Sequence, residues 1–243
     1  TTSGQGRISR IVEERDASPA ERKVKEINSG VFVFSLAPLF TALRGLATAN
    51  AQGEYYLTDL VSTFRKQKLG VETLLLEDAN EIRGINSRSE LAEASRIVRQ
   101  KKNEELMAAG VTIEDPATTY IDDQVVVGAD TVIHPGVHLE GQTRIGAACE
   151  IHSGVRIVNS VLDDRVTIQN FCVINGSRLA SGVTIGPFAH LRQESDLGKS
   201  VHVGNFVELK KTVLGAGTKA GHLSYLGDAV VGLLHAPAAL EQE

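Results

Sequence analysis

The sequence has no tryptophan, and aromatic residues make up only 5% of its 243 residues. So few rings indicate a narrow interior with little room for large side chains. The sequence also lacks an apolar run of about 18 residues, which a membrane-spanning helix needs, and it lacks a recognisable signal peptide. We therefore expect a soluble, cytoplasmic protein with no membrane partner. A net charge of −5 gives no sign of a nucleic-acid partner either.

Cysteine is also scarce, with Cys149 and Cys172 as the two thiols. Both occupy small positions that the repeat described next predicts to face inward. Two such thiols are more typical of packing than of a disulfide or a metal site. The sequence therefore predicts two buried, unpaired cysteines.

What the sequence does have is a repeat of branched apolar residues every six positions, from residue 121 to residue 231. A period of six excludes an amphipathic helix, and the turn signals of an ordinary meander are missing. Four steps of five residues interrupt the period. The repeated positions are Ile121, Val127, Ile133, Leu139, Ile145, Ile151 and Ile157, then Leu162, Ile168 and Ile174, then Leu179, Ile185, Leu191, Leu197, Val203 and Leu209, then Leu214, Ala220 and Leu226, and finally Val231.

This spacing predicts a β-helix built from hexapeptides. Each hexad forms one short strand with its apolar residue inward, and three hexads close a triangular coil of about 18 residues. Coils stack at the inter-strand spacing of about 4.8 Å, because a single coil cannot bury its own interior. We expect each five-residue step to mark a corner or a bulge. A β-sandwich with accidental spacing is the alternative, and the number of hexads argues against it.

Residues 1–86 alternate predicted strands with predicted helices, which is typical of an α/β layer. We predict strands at residues 8–12, 30–34 and 71–76, and helices at residues 36–49 and 57–68. No glycine-rich phosphate loop precedes these elements, so the segment resembles the back half of an α/β domain.

A longer helix is predicted over residues 87–109, where Ser87 and Glu90 form a capping box and Gly110 ends the helix. We expect it to connect the two halves of the chain, with its basic middle as a solvated face. Its apolar stripe consists of Leu91, Ala94, Ile97, Val98, Leu106 and Met107, and its basic residues are Arg96, Arg99, Lys101 and Lys102.

Several stretches carry a resemblance to a known family, and they run in order over nearly the whole chain. The most specific are VGNFVELKK at residues 203–211 and KAGHLSYLGD at residues 219–228; the others lie at residues 11–13, 26–30, 51–59, 84–88 and 185–189. They resemble the bacterial bifunctional enzyme that makes UDP-N-acetylglucosamine, which is a precursor of peptidoglycan. That family joins an N-acetylglucosamine-1-phosphate uridylyltransferase to a glucosamine-1-phosphate acetyltransferase.

The resemblance implies both the fold and its divisions. Residues 1–86 would be the C-terminal part of a Rossmann-like α/β nucleotidyltransferase domain, and residues 87–110 a linker helix. Residues 111–232 would form an incomplete acetyltransferase domain, a left-handed parallel β-helix. A tail at residues 233–243 has no hexad spacing and is expected to be a short helix or a disordered end.

In the first half, the resemblance implies that Glu13 and Asn28 contact the sugar of UDP-N-acetylglucosamine. It also implies that Asn86 contacts the nucleotide and helps to hold Mg²⁺, which bridges phosphates in such transfers. Without the resemblance, Asn86 and Ser87 are equally well explained as residues capping a helix. Glu13 alone would be an ordinary exposed carboxylate.

In the second half, Lys210 follows Arg192 by three hexads, which is one full coil. This spacing predicts that the two residues stack on one face, one strand spacing apart. Two adjacent cations repel each other, so a sugar phosphate between them is one interpretation and a solvated basic ladder is the other. The resemblance favours the first, because it makes Arg192, Lys210 and Tyr225 sugar-phosphate contacts.

The resemblance also makes His222 the catalytic base, which would take a proton as the amine of glucosamine-1-phosphate attacks acetyl-CoA. Imidazole titrates near neutral pH, which suits that task. Five other histidines sit beside inward positions and look like surface residues: His134, His138, His152, His190 and His202.

The chain also departs from the family pattern. The family's glycine-rich loop, uracil contacts and metal-binding aspartate would precede Thr1, and its acetyl-CoA-binding coils would follow Gly232. Gln193 replaces the usual proline, which affects the loop shape beside Arg192. We therefore expect a partial chain of an enzyme that uses UTP, glucosamine-1-phosphate and acetyl-CoA and forms homotrimers. A monofunctional hexapeptide acyltransferase and a catalytically dead scaffold are the alternatives.

Overall fold

The structure, a computed structural model, describes residues 2–3 and 7–232. The predicted tail at residues 233–243 lies outside them. The chain divides into two compact units, residues 1–86 and residues 87–243. None of the helices in the described part of the chain is both long and apolar enough to cross a bilayer.

The N-terminal unit contains two α-helices, α1 (Leu36–Leu43) and α2 (Asp59–Lys66), which pack through a small core. Both predicted helices are confirmed, and α1 ends before Gly45, earlier than predicted. The buried residues of the core are Ala42, Leu60 and Phe64. The remaining regular elements are 3₁₀ turns at Glu14–Asp16, Glu21–Lys23 and Ala79–Ile82, and an antiparallel pair, Thr2–Ser3 with Arg7–Ile8.

The strands predicted at residues 30–34 and 71–76 are wrong, because neither segment forms a strand. The prediction at residues 8–12 is correct only for Ile8, which ends the short pair. A strand needs a hydrogen-bonded neighbour, and no strand in residues 2–3 and 7–86 lies beside those two segments. Several of their apolar side chains are exposed, with Val33 98% and Leu75 77% exposed, while Phe34 and Val71 pack against the small core.

The second unit begins with α3 (Arg88–Ala108), which starts at the predicted capping box. The backbone N–H of Glu90 donates to Ser87 Oγ, and the backbone N–H of Ser87 donates to Glu90 Oε2, each at 3.1 Å. The predicted apolar stripe is only partly buried, since Leu106 is 8% exposed whereas Val98 is 61% exposed.

The basic middle of α3 is solvated as predicted at Arg96 and Lys101, but the prediction is wrong for Arg99 and Lys102, which contact the repeat region. Lys102 Nζ donates to the carbonyl oxygen of Asp123 at 2.6 Å, and the Arg99 guanidinium lies 4.3 Å above the Tyr120 ring. Both partners lie in the first coil of the repeat region. Periodicity along the helix could not reveal them, because they come from a different element.

The repeat region forms three seven-stranded parallel sheets, which confirms the predicted parallel β-helix. Every third strand joins the same sheet, so each sheet is one face of the prism. The first face contains Thr112–Ile113, Val132–Ile133, Glu150–Ile151, Thr167–Ile168, Thr184–Ile185, His202–Val203 and Lys219–Ala220. The second face contains Tyr120–Ile121, His138–Glu140, Arg156–Val158, Val173–Asn175, His190–Leu191, Glu208–Lys210 and Tyr225–Gly227. The third face contains Val126–Val127, Arg144–Ile145, Val161–Leu162, Arg178–Leu179, Asp196–Leu197, Val213–Leu214 and Val230–Val231.

Apart from Val231 at the end of the repeat, the apolar residues of the hexads point into one continuous core, and most are fully buried. Cys149 and Cys172 lie in the same core as free thiols, so their predicted packing role is confirmed. Burial raises the pKa of both thiols, that of Cys172 to about 11. Both therefore stay protonated near neutral pH and are poor nucleophiles.

All four short steps fall at the same corner, between the second and the third face. The predicted corners are therefore confirmed. A coil that contains such a step is one position shorter than a coil of three full hexads, as the partners Ile157 and Ile174 show when compared with Leu191 and Leu209. The residues at these four turns all have positive φ: Asn159 (46°), Gly176 (53°), Lys211 (48°) and Asp228 (51°).

Candidate functional site

Three of the predicted site residues lie on the second face of the solenoid. His190–Leu191 pairs in parallel with Glu208–Lys210, which pairs with Tyr225–Gly227. The backbone N–H of Arg192 donates to the carbonyl oxygen of Leu209 at 2.8 Å, so Arg192 follows the ladder beside Lys210. The predicted stacking of these two cations in neighbouring coils is confirmed.

Glu208 is a member of this cluster that the sequence reasoning missed. Its Oε1 lies 3.1 Å from Nη1 of Arg192, with the two side chains 40% and 47% exposed. The protein itself therefore supplies an anion beside Arg192, which was not expected from the sequence. The signal was present, since Glu208 precedes Lys210 by two positions and so projects from the same side of the strand.

In the next coil, Tyr225 and Gly227 are also two positions apart on one strand, as Glu208 and Lys210 are. A Cβ atom at Gly227 would lie 2.7 Å from Cζ and 2.8 Å from Cε1 of Tyr225, so glycine is required for this placement of the ring. Gly227 is also the register partner of Lys210. The missing side chain thus makes room for the phenol ring next to the strand that carries Lys210.

His222 lies at the corner between the first and second faces, just before Tyr225–Gly227. The residue is exposed. Ser224 Oγ donates to the His222 carbonyl oxygen at 2.9 Å, and the N–H of Leu223 donates to the Asn205 carbonyl oxygen at 3.2 Å. These bonds fix the backbone of the turn and leave the imidazole accessible to a substrate.

The same corner carries an exposed apolar strip, which we call the corner ladder: Phe171, Phe188, Phe206 and Leu223. The stacked rings have centroids 5.3 and 5.2 Å apart, and the phenylalanines are 55%, 47% and 54% exposed. Leu223 continues the strip at 76% exposure, directly after His222. Contiguous exposed apolar surface is typical of an interaction site. Sequence reasoning missed it because these residues lie outside the hexad positions.

In the N-terminal unit, Glu13 accepts a hydrogen bond from Thr58 Oγ1 at 3.2 Å. It also lines an open depression of about 420 Å³. The other residues around this depression are Glu14, Arg15, Arg22 and Gln52.

Asn28 and Asn86 both lie in exposed segments outside helices and strands. Asn86 lies just before α3, but the side chain that caps the helix belongs to Ser87. A side-chain amide supplies a single oxygen, whereas Mg²⁺ takes carboxylates together with phosphates and waters. No group of three histidine, cysteine or acidic side chains able to share a cation lies at Asn86 in the described residues. Asn86 alone therefore does not fit a magnesium site.

The chain is similar to one family model and to curated proteins. The family model of the GMPPB C-terminal domain matches residues 121–220. Bifunctional protein GlmU of Pelobacter propionicus is 48% identical over 227 residues, which is 93% of this chain and 49% of the relative. Bifunctional protein GlmU of Pelotomaculum thermopropionicum is 51% identical over 229 residues, which is 94% of this chain and 50% of the relative.

The chain thus spans about half the length of the curated relatives it matches. Among solved structures, the acetyltransferase domain of PglB from Neisseria gonorrhoeae is 19% identical with a TM-score of 0.34, over 54% of this chain and 58% of that one. The resemblance drawn from the sequence motifs is confirmed by these curated relatives over about half of their length.

Proposed function

The chain matches one half of the bifunctional GlmU proteins, and from this premise we propose that it takes part in acetyl transfer from acetyl-CoA to the amine of glucosamine-1-phosphate. The observation that carries the proposal is the stacking of Arg192 and Lys210 in neighbouring coils. His222 lies at the corner next to the same face.

Each residue of the cluster has a defined part in this reaction. His222 accepts a proton from the substrate amine, whose nitrogen forms a bond to the thioester carbonyl carbon. The carbon–sulfur bond then breaks, and coenzyme A leaves as a thiol once it has taken up a proton. Arg192 and Lys210 bind the sugar phosphate together with Tyr225, while Glu208 orients the Arg192 guanidinium.

A second copy of the chain completes the site in this proposal, as part of a homotrimer. The corner ladder supports it, because Leu223 is 76% exposed and follows His222 directly. A neighbouring chain that covers this strip would bring its own surface against the imidazole. The trimer is thus linked to catalysis as well as to stability.

The first test is release of coenzyme A thiol from acetyl-CoA in the presence of glucosamine-1-phosphate. His222→Ala should lower the rate by about 10²- to 10⁴-fold, the usual contribution of general acid–base catalysis. His202→Ala removes an exposed histidine from the first face and should leave the rate unchanged. Equal rates in the two variants would show that His222 is not the base.

Binding of glucosamine-1-phosphate provides a test that does not require turnover. Lys210→Ala should weaken binding, whereas Lys211→Ala removes the same charge from the adjacent exposed turn and should not. A chain with neither binding nor turnover would agree with a catalytically dead scaffold instead.

We also propose that residues 1–86 contribute to uridylyl transfer from UTP to N-acetylglucosamine-1-phosphate, in a cytoplasmic enzyme. Glu13 and Asn28 are the sugar contacts of this proposal, and Asn86 the nucleotide contact. The position of Glu13 at the edge of an open depression supports it. Because Asn86 alone does not fit Mg²⁺, we derive no step through the metal.

Binding of UDP-N-acetylglucosamine tests this second activity. Glu13→Ala should weaken binding, and Glu72→Ala, which removes an exposed carboxylate outside the depression, should not. No binding by the unmodified chain would favour a monofunctional acyltransferase.

A further inference from the structure

The first face carries a pair of histidines in neighbouring coils, away from every residue assigned above. His134 and His152 directly follow Ile133 and Ile151, which are partners in the parallel ladder. Their rings are stacked with centroids 4.6 Å apart and planes inclined by 7°. Both side chains are largely covered, at 21% and 22% exposure. The ladder therefore holds two imidazoles in one fixed position on the surface.

Glu150 completes a set of three metal-binding groups. It lies in the strand Glu150–Ile151, and His152 directly follows that strand, so the two side chains, two positions apart, project from the same side. Its Oε1 lies 3.4 Å from Nε2 of His134 and 3.4 Å from Nε2 of His152. One ligand atom from each of the three residues lies within 4.8 Å of the other two.

The distances between these ligand atoms fit a tetrahedral metal ion. A tetrahedral Zn²⁺ with bonds of about 2.0–2.1 Å has neighbouring ligand atoms about 3.3–3.4 Å apart. Both histidine–carboxylate distances already have this value. The ligand atoms of the two imidazoles lie within 4.8 Å of each other, and a tilt of the stacked rings would bring them to this separation.

We propose that His134, Glu150 and His152 form a binding site for a divalent transition-metal ion of the zinc type. Two imidazoles and a carboxylate suit Zn²⁺, Co²⁺ or Ni²⁺, whereas Mg²⁺ and Ca²⁺ prefer oxygen ligands alone. The fourth position is open to water. The ion joins two coils of the solenoid and uses no residue of the proposed acetyl-transfer site.

A fourth residue supports the site by orienting one ligand. Oε2 of Glu114, in the preceding coil, lies 2.9 Å from Nδ1 of His134. A carboxylate that accepts a hydrogen bond from Nδ1–H favours the tautomer whose Nε2 lone pair is available, and Nε2 is the atom that lies nearest Glu150. Metal-binding histidines usually have such a partner, so the arrangement indicates more than a random surface pair.

The test is metal binding by the whole chain, without a polyhistidine tag, after removal of bound metal with a chelator. Titration with Co²⁺ should give the visible absorption bands of a tetrahedral ion at one equivalent per chain, and Zn²⁺ should displace it. His152→Ala should weaken Zn²⁺ binding at least about tenfold. Glu114→Gln should weaken it by about 10- to 100-fold, the usual range for a group that orients a ligand.

The matched control is His138→Ala, because His138 also stacks on an aromatic ring, that of Tyr120, but on the second face. This variant should bind Zn²⁺ as tightly as the unmodified chain. Glu150→Gln keeps the shape of the side chain and guards against a folding defect, and it should also weaken binding. Equal Zn²⁺ affinity in His152→Ala and His138→Ala, or unchanged affinity in Glu150→Gln, would overturn the proposal.

Discussion

The two units of the chain differ in how they cover their apolar side chains. In the solenoid, Ile174 and Leu191 are completely buried, because each coil has another coil to pack against. In the N-terminal unit, Val33 and Leu75 are 98% and 77% exposed, and the buried apolar residues of its described part are only four, Ala42, Leu60, Val61 and Phe64. In a stack of repeats, each coil buries its apolar side chains against the neighbouring coils. In an α/β layer, burial depends on strands that come from distant parts of the sequence.

The largest expected contrast between the units is in the cost of removing an apolar side chain. Ile174→Ala leaves a cavity in a close-packed layer and should lower the free energy of unfolding by about 2–5 kcal/mol. Leu75→Ala, at an exposed position, should change it by less than about 0.5 kcal/mol. Urea unfolding followed by circular dichroism measures both. A cost for Leu75→Ala as large as that for Ile174→Ala would mean that Leu75 is covered in solution.

Thiol reactivity should also distinguish the buried interior of the solenoid from the exposed segments of the N-terminal unit. Cys149 and Cys172 lie inside the prism, and burial raises the pKa of Cys172 to about 11. The thiolate needed for reaction is therefore scarce at pH 8, and a reagent cannot reach it. A cysteine introduced by Leu75→Cys should react with Ellman's reagent at least about a hundred times faster than the native pair.

In urea, all three thiols of that variant should react at similar rates, which serves as the control. Rapid reaction of Cys149 or Cys172 in the native protein would show that the solenoid opens far more readily than its packing implies.

The smallest expected effect concerns surface ion pairs. Arg156 donates to both carboxylate oxygens of Glu140 at 2.7 and 2.8 Å, and these bonds lower the pKa of Glu140. In the N-terminal unit the pKa of Glu21 is lowered to about 2, first by hydrogen bonds from Ser18. One carboxylate is thus held by a neighbouring coil and the other by a residue of its own turn.

Because the folded-state pKa of Glu140 lies below its ordinary value, its contribution to stability is present above that value. It disappears as the pH falls through the folded-state pKa. Arg156→Gln should therefore lower the urea midpoint slightly at pH 7, and by progressively less in acid. Urea midpoints at a series of pH values measure this, and a cost that grew towards low pH would contradict it.

The same contrast explains how much of the fold could be predicted. The hexad period placed Ile133, Ile174 and Leu191 in the core, because in a solenoid the inward direction depends only on position within the repeat. Strand formation at residues 30–34 could not be judged in this way, since it depends on a partner strand and not on local composition.

The candidate site was predictable to a similar degree. The spacing of three hexads placed Arg192 beside Lys210. The role of Glu208 could not be predicted in this way, because its contact is with Arg192, which lies diagonally opposite in the neighbouring coil. The corner ladder was harder to find. The step from Phe171 to Phe188 is one position shorter than the step from Phe188 to Phe206, so no fixed period connects the three rings.

The corner between the second and third faces has a practical consequence for protein engineering. Counting three full hexads on from Lys210 leads to Asp228, yet the residue opposite Lys210 is Gly227. Since this bend accepts either of two lengths, a single-residue insertion or deletion there leaves every later strand in phase. It is therefore a natural point at which to graft a loop onto the solenoid.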